Sequence, residues 1–183
     1  MSVPLTTLQI DLDSLRTGIP ALTPGYAAYF KEACMVCLDS QGHSSGVELS
    51  VDWLGHNEHR PIRWVGIVDG QMKAAHYETT RATESGACAI SLLLVRELTD
   101  YTAVQQSAIG TTVDYYLARQ PVDDALPFNH AARLESSGIR EEKGGNTVSA
   151  RVRDKTARLR QDSLPALIVI VEFASPKARM VQL

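Results

Sequence analysis

The run PALIVIVEF at residues 165–173 constrains the fold most, because it is apolar almost without interruption. Such a run is typical of a strand covered on both faces. The preceding segment TVSARVRDKTARLRQ has an apolar stripe and predicts an amphipathic helix from Asn146, a possible N-cap, to Gln161. A helix that leads into a buried strand predicts a crossover, with the last strand parallel to its neighbour.

The segments before this helix complete an α-β-β-β-α-β order. TESGACAISLLLVREL, from Thr83 to Leu98, is apolar nearly all round and predicts a buried helix. TAVQQSAI, TTVDYYLARQ and HAARLESSGI predict three strands. We therefore expect an α/β (α+β) core over residues 81–183, with a mixed central sheet flanked by helices.

Residues 1–80 predict an N-terminal extension. A helix is expected from Pro24, which follows the N-cap candidate Thr23. VELSVDWL and RPIRWVGIV predict a hairpin across a polar loop, GHNEHR. The extension and the core are expected to form one compact globular unit.

Composition excludes several classes of function. The 183 residues are 44% hydrophobic with a net charge of −3, which argues against nonspecific coating of nucleic acid. No apolar run approaches the ~18 to 20 residues that span a bilayer, so no membrane role and a cytoplasmic location are expected. No Walker or dinucleotide glycine loop is present, so no nucleotide cofactor is expected. Cys34, Cys37 and Cys88 are interpreted as buried helical thiols.

Asp114 and Glu135 each lie inside a segment that otherwise reads as a strand. A buried, unpaired carboxylate is costly, and two in neighbouring strands need a reason. A shared divalent cation would offset both the repulsion and the desolvation of converging carboxylates.

This order, with Asp114 on the second strand and Glu135 on the third, resembles the core of the PD-(D/E)XK nuclease superfamily, the restriction-endonuclease-like and Holliday-junction-resolvase-like fold. The resemblance implies a metal-dependent nuclease acting on DNA, with Mg²⁺ or Mn²⁺ held by Asp114, Glu135 and the helix-borne Glu84. The sequence departs from the family pattern at Ser137, because family members normally have a lysine two residues after the strand glutamate. Some members supply that lysine from another element, and Lys155 on the following helix is the candidate.

The helix that begins near Asn146 carries a local excess of positive charge. One stripe of this helix carries Arg151, Lys155 and Arg158, which lie at positions i, i+4 and i+7. The helix also carries Arg153 and Arg160, and its acidic residue is Asp154. The stripe is a candidate nucleic-acid-binding surface. The alternative is a solvated basic face at the C-terminal end of a helix, where the helix dipole favours cations.

Two other classes of function remain open. Ser137 suggests a catalytically inactive nuclease-fold protein that binds nucleic acid or a protein partner. A small-molecule enzyme using His43 or His76 is the other alternative, although no nucleophile, base and orienting acid group together in the sequence. The family resemblance also implies that a homodimer is possible.

Overall fold

The computed structural model describes residues 9–122, 128–159 and 164–183. These residues form a mixed α/β fold with one eight-stranded sheet. In chain order the elements are β1 (Ile10–Asp11), a 3-10 helix (Leu12–Arg16), α1 (Pro24–Ser40), β2 (Val47–Trp53), β3 (His56–Arg63), α2 (Gly70–Ala75), α3 (Thr79–Leu98), β4 (Tyr101–Gln106), β5 (Tyr115–Arg119), β6 (Ala132–Ile139), α4 (Val148–Leu159), β7 (Ala166–Glu172) and β8 (Lys177–Gln182).

The sheet has the strand order β1-β3-β2-β8-β7-β6-β5-β4. The pairs β1–β3, β2–β8 and β6–β7 are parallel, and the remaining pairs are antiparallel. The α-β-β-β-α-β order predicted for the second half is confirmed, as is the parallel pairing of β7 with β6 through the α4 crossover.

Helices cover both faces of the sheet. The larger apolar cluster joins α1 and α3 to one face, and a smaller cluster lies under α4 on the other. All seven residues of β7 are buried, because this strand lies between the two layers. The buried strand predicted from the run of residues 165–173 is therefore confirmed.

The prediction of a polar loop at GHNEHR is wrong. The connection between β2 and β3 is Leu54–Gly55, with φ of 52° and 78°, and Trp53 pairs directly with His56. Positive φ at both central residues is the backbone of a type I′ hairpin turn, which matches the twist of the strands. The polar residues of this segment belong instead to β3.

The strand β8 was not predicted, and it joins the two halves of the chain. It runs parallel to β2 and antiparallel to β7, so the N-terminal hairpin continues the same sheet as the predicted core.

Among the described residues, none of the helices is long and apolar enough to cross a membrane.

Candidate functional site

Asp114 lies immediately before β5 and is fixed against β6. Its N–H donates to the Leu134 carbonyl at 2.8 Å, and its Oδ2 accepts a hydrogen bond from the Ser136 N–H at 2.7 Å. Glu135 follows on β6, and its side chain lines the same cavity as that of Asp114. The two predicted acids are therefore neighbours on one side of the sheet.

Lys155 of α4 contacts this pair from above the sheet. Its Nζ donates to Glu135 Oε1 in an ion pair whose side chains are 16% and 14% exposed. Asp114, Glu135 and Lys155 line a cavity of about 230 Å³ with mostly polar walls. The other residues that line it are Thr111, Thr112, Val113, Arg158 and Leu159. The helix that follows β6 thus brings a cation to the acids across the crossover.

Burial dominates the electrostatics of both acids. It raises the pKa of Asp114, against the opposing effects of the Ser136 N–H and the Lys155 charge. It also raises the pKa of Glu135, where Lys155 opposes the shift and the Asp114 charge adds to it. Two carboxylates with raised pKa values in one cavity form a site that an additional cation would stabilise.

Glu84 and Ser137 form a second cluster with Arg151. Glu84 Oε2 accepts from the Gly138 N–H at 2.8 Å, and its Oε1 is 3.4 Å from both Ser137 Oγ and Arg151 Nη1. Arg151 Nη1 also donates to Ser137 Oγ at 2.6 Å and to the Gly138 carbonyl at 2.8 Å. The guanidinium of Arg151 therefore lies beside Ser137.

The predicted metal ligands are thus near one another but are not arranged as a closed set. Within the described ranges, no group of three or more His, Cys, Asp or Glu side chains has the geometry to hold a metal ion. Asp114 and Glu135 share the cavity, while the Glu84 carboxylate binds the β6 backbone and Arg151. All three acids nonetheless raise the pKa of the Cys88 thiol of α3, after the larger effect of its burial.

The basic stripe of α4 is largely engaged with the sheet and is not a fully solvated face. Arg151 and Lys155 make the contacts described above, and Arg158 lines the cavity. Arg160, which also belonged to the predicted basic helix, lies outside the described residues.

Asn146 is not the N-cap of α4. Thr147 Oγ1 accepts from the Ala150 N–H at 3.1 Å, whereas Asn146 Oδ1 accepts from Arg151 Nε at 2.9 Å.

The other candidate residues lie away from this cavity. His43 Nε2 is 2.9 Å from the Ala174 carbonyl, and His76 is buried 3.5 Å from a Glu32 carboxylate oxygen. Cys34 and Cys37 are free, buried thiols of α1, and burial raises the pKa of Cys37 to about 11. None of these groups contributes to the walls of the cavity.

Sequence reasoning missed the turn that closes the cavity. Thr111 and Thr112 line it beside the acids, and Thr111 Oγ1 donates to the Val113 carbonyl at 2.9 Å. The sequence signal for this turn was Gly110 followed by two threonines. Gly110 has a φ of 94° and lies in the turn between β4 and β5.

The cavity combines two interacting carboxylates, an ammonium group and a guanidinium group. Carboxylate oxygens are hard ligands suited to Mg²⁺ or Mn²⁺. The positive charges of Lys155 and Arg158 suit an anionic substrate such as a phosphodiester.

Comparison of the chain with protein-family models, with curated proteins and with solved structures gives no match.

Proposed function

We propose that this chain is a metal-dependent phosphodiesterase of the nuclease type that acts on DNA, with a PD-(D/E)XK-like core. The observation that carries the proposal is the contact of Lys155 with Glu135 in the cavity that also holds Asp114. The α-β-β-β-α-β order of α3 to β7 also supports it, as does the position of both acids at the junction of β5 and β6.

The donor set fits a divalent cation. Asp114 and Glu135 supply carboxylate oxygens with raised pKa values, and a cation would relieve the cost of keeping both ionised. These two residues would hold Mg²⁺ or Mn²⁺, which when bound polarises a phosphate and lowers the pKa of a water molecule. Glu84 would join them only if its carboxylate left Gly138 and Arg151.

The remaining roles belong to the cations of α4. Lys155 favours the ionised form of Glu135 and is placed to offset negative charge on a scissile phosphate. Arg158, on the cavity wall, would orient the same phosphate through its guanidinium fork. Arg151 would add a positive charge beside Ser137, in the cluster with Glu84.

The experiment is cleavage of end-labelled single-stranded, duplex and branched DNA with Mg²⁺ or Mn²⁺. The wild type should cleave at least one of the three, and Asp114→Ala and Glu135→Gln should each lower the rate by about 10²-fold or more. Asp154→Asn is the matched control, since this α4 carboxylate is 59% exposed and pairs with Arg153.

Cleavage that persists in Asp114→Ala would refute the proposed site. DNA binding by the wild type without cleavage under any of these metals would instead favour the inactive nuclease-fold alternative. The observation behind this alternative is that the Glu84 carboxylate is engaged by the Gly138 N–H and Arg151 and does not line the cavity.

A further inference from the structure

Tyr116 and His130 form a stacked ring pair. Their ring centroids are 4.2 Å apart and the ring planes differ by 9°. His130 Nε2 lies 2.9 Å from Gln105 Oε1, so a hydrogen bond to β4 fixes the orientation of the imidazole ring. The pair is therefore held in place before any ligand arrives.

The pair lies on the same face of the sheet as the acids. Tyr116 of β5 is directly opposite Arg133 of β6, and Arg133 is two residues from Glu135. Side chains two residues apart on a strand share a face and are separated by about 6.8 Å. Tyr115 and Leu117 point the other way, into the core beneath α3.

The surroundings of the two rings do not suggest a core role. Both keep part of their surface exposed, and neither is a member of the two apolar clusters. Phe128, two residues before His130, is 65% exposed. A fixed and partly exposed aromatic pair, on the sheet face that also carries a polar cavity of about 230 Å³, has the properties of a surface on which nucleobases stack.

We propose that Tyr116 and His130 are a stacking platform for an unpaired base of a single-stranded nucleic acid, adjacent to the phosphate that enters the cavity of Asp114, Glu135 and Lys155. This inference rests on the proposed function and gives it a substrate class. A base in a duplex has both faces covered by its neighbours, so the platform selects a single-stranded or locally unpaired segment. Stacking uses the faces of the base and is shared by DNA and RNA.

The experiment measures binding without cleavage, by fluorescence anisotropy of labelled oligonucleotides in EDTA. Tyr116→Ala should weaken binding of single strands about 5- to 150-fold, which corresponds to ~1 to 3 kcal/mol per stacked base. Tyr116→Phe, which keeps the ring, should retain wild-type affinity. Tyr77→Ala is the matched control, because this tyrosine is 86% exposed in the segment between α2 and α3.

An oligonucleotide with abasic sites isolates the stacking contribution. Tyr116→Ala and His130→Ala should both weaken binding of the intact strand and have little effect on the abasic strand or on a duplex. Single-stranded DNA and RNA of one sequence, compared in parallel, identify which backbone the site prefers. Equal losses for intact and abasic strands, or no loss in either variant, would overturn the platform.

The outcome is separable from that of the proposed function. Ring-dependent binding of single strands in a protein that cleaves nothing would support the platform and refute the nuclease. If the protein cleaves DNA with a metal ion but Tyr116→Ala and His130→Ala leave its affinity for single strands unchanged, the nuclease proposal would be supported and the platform refuted. Thermal unfolding of each variant verifies that the fold is intact.

Discussion

The central residue contact is the ion pair between Lys155 and Glu135. The sequence led to Lys155 as a substitute for the lysine missing at Ser137, and the structure places its ammonium on the strand glutamate. The contact of Arg151 with Ser137 was not predicted. Helical spacing puts Arg151 and Lys155 on one stripe, but only the distance and angle between α4 and β6 decide which cation reaches which residue.

Lys155→Gln should lower metal-dependent cleavage by about 10²- to 10³-fold, because it removes a cation from a partly buried site where negative charge develops. The measurement is the single-turnover rate at saturating DNA. Arg153→Gln is the control, since Arg153 lies on the same helix with a 76% exposed side chain. It should change only the salt dependence of binding. Equal rates for wild type and Lys155→Gln would remove Lys155 from the site.

Asp114→Asn should stabilise the protein at neutral pH by about 0.5 to 2 kcal/mol while abolishing cleavage. Burial raises the pKa of Asp114 above its ordinary value of 3.8, so ionisation costs more in the folded state than in the unfolded state. The wild type therefore loses stability as the pH rises through the raised pKa, and the amide avoids that loss. Below the ordinary value the acid is protonated in both states, and the difference should disappear.

Urea unfolding of both proteins at a series of pH values from 3 to 8 would measure this difference. A variant that is less stable than the wild type at pH 7 would contradict the expectation. Asp154→Asn again serves as the exposed control.

At the scale of elements, periodicity was sufficient for the helices and strands of the core up to β7. The uninterrupted apolar run of β7 and the apolar stripe of α4 were correctly assigned, because burial dictates those patterns. The hairpin turn was misplaced because a leucine occupies one of its positive-φ positions, and polar residues continued into β3. The β8 strand does alternate, with Ala178 and Met180 buried between more exposed neighbours, but its short segment was overlooked.

The close approach of α3 to β6 depends on Gly138. A Cβ at this position would overlap the Thr83 carbonyl and lie 2.7 Å from Thr83 Cγ2. Gly138→Ala should therefore destabilise the protein by about 1 to 3 kcal/mol or more, since α3 must shift away from the strand. Its N–H also holds Glu84, so the shift should disturb the site as well.

Gly145→Ala is the matched control, because a Cβ there meets nothing within 4 Å and its backbone is not in the left-handed region. Chemical denaturation should show a change within about 0.5 kcal/mol for this control. A similarly small change for Gly138→Ala would show that the helix can move at little cost.

At the scale of the whole molecule, the predicted boundary near residue 80 does not coincide with a break in the sheet. β8 pairs with β2 on one side and with β7 on the other, and α1 packs on α3 in the main apolar cluster. No pattern within either half shows this, because pairing between distant strands depends on the folded arrangement. The sequence predicted that the two parts form one unit and that Asp114, Glu135 and Lys155 belong together, whereas the strand that joins the two parts, β8, was not predicted.

A fragment of residues 81–183 should not unfold cooperatively. It would expose the surface of α3 that packs on α1 and leave the inner edge of β8 without a partner. Near-ultraviolet circular dichroism and thermal scans, compared with the full chain, would measure this. A cooperative transition at the temperature of the full chain would show that the two parts are independent.

The position of β8 also governs the order in which the chain can acquire its structure during synthesis. Ser50 pairs with Lys177, and Trp53 with Met180, so the sheet cannot be joined until nearly the whole described chain has left the ribosome. Contacts between such distant residues slow folding, because loop closure precedes any stabilising contact. The N-terminal hairpin must therefore wait with one edge of β2 unpaired, and an unpaired strand edge can pair with another chain until β8 covers it.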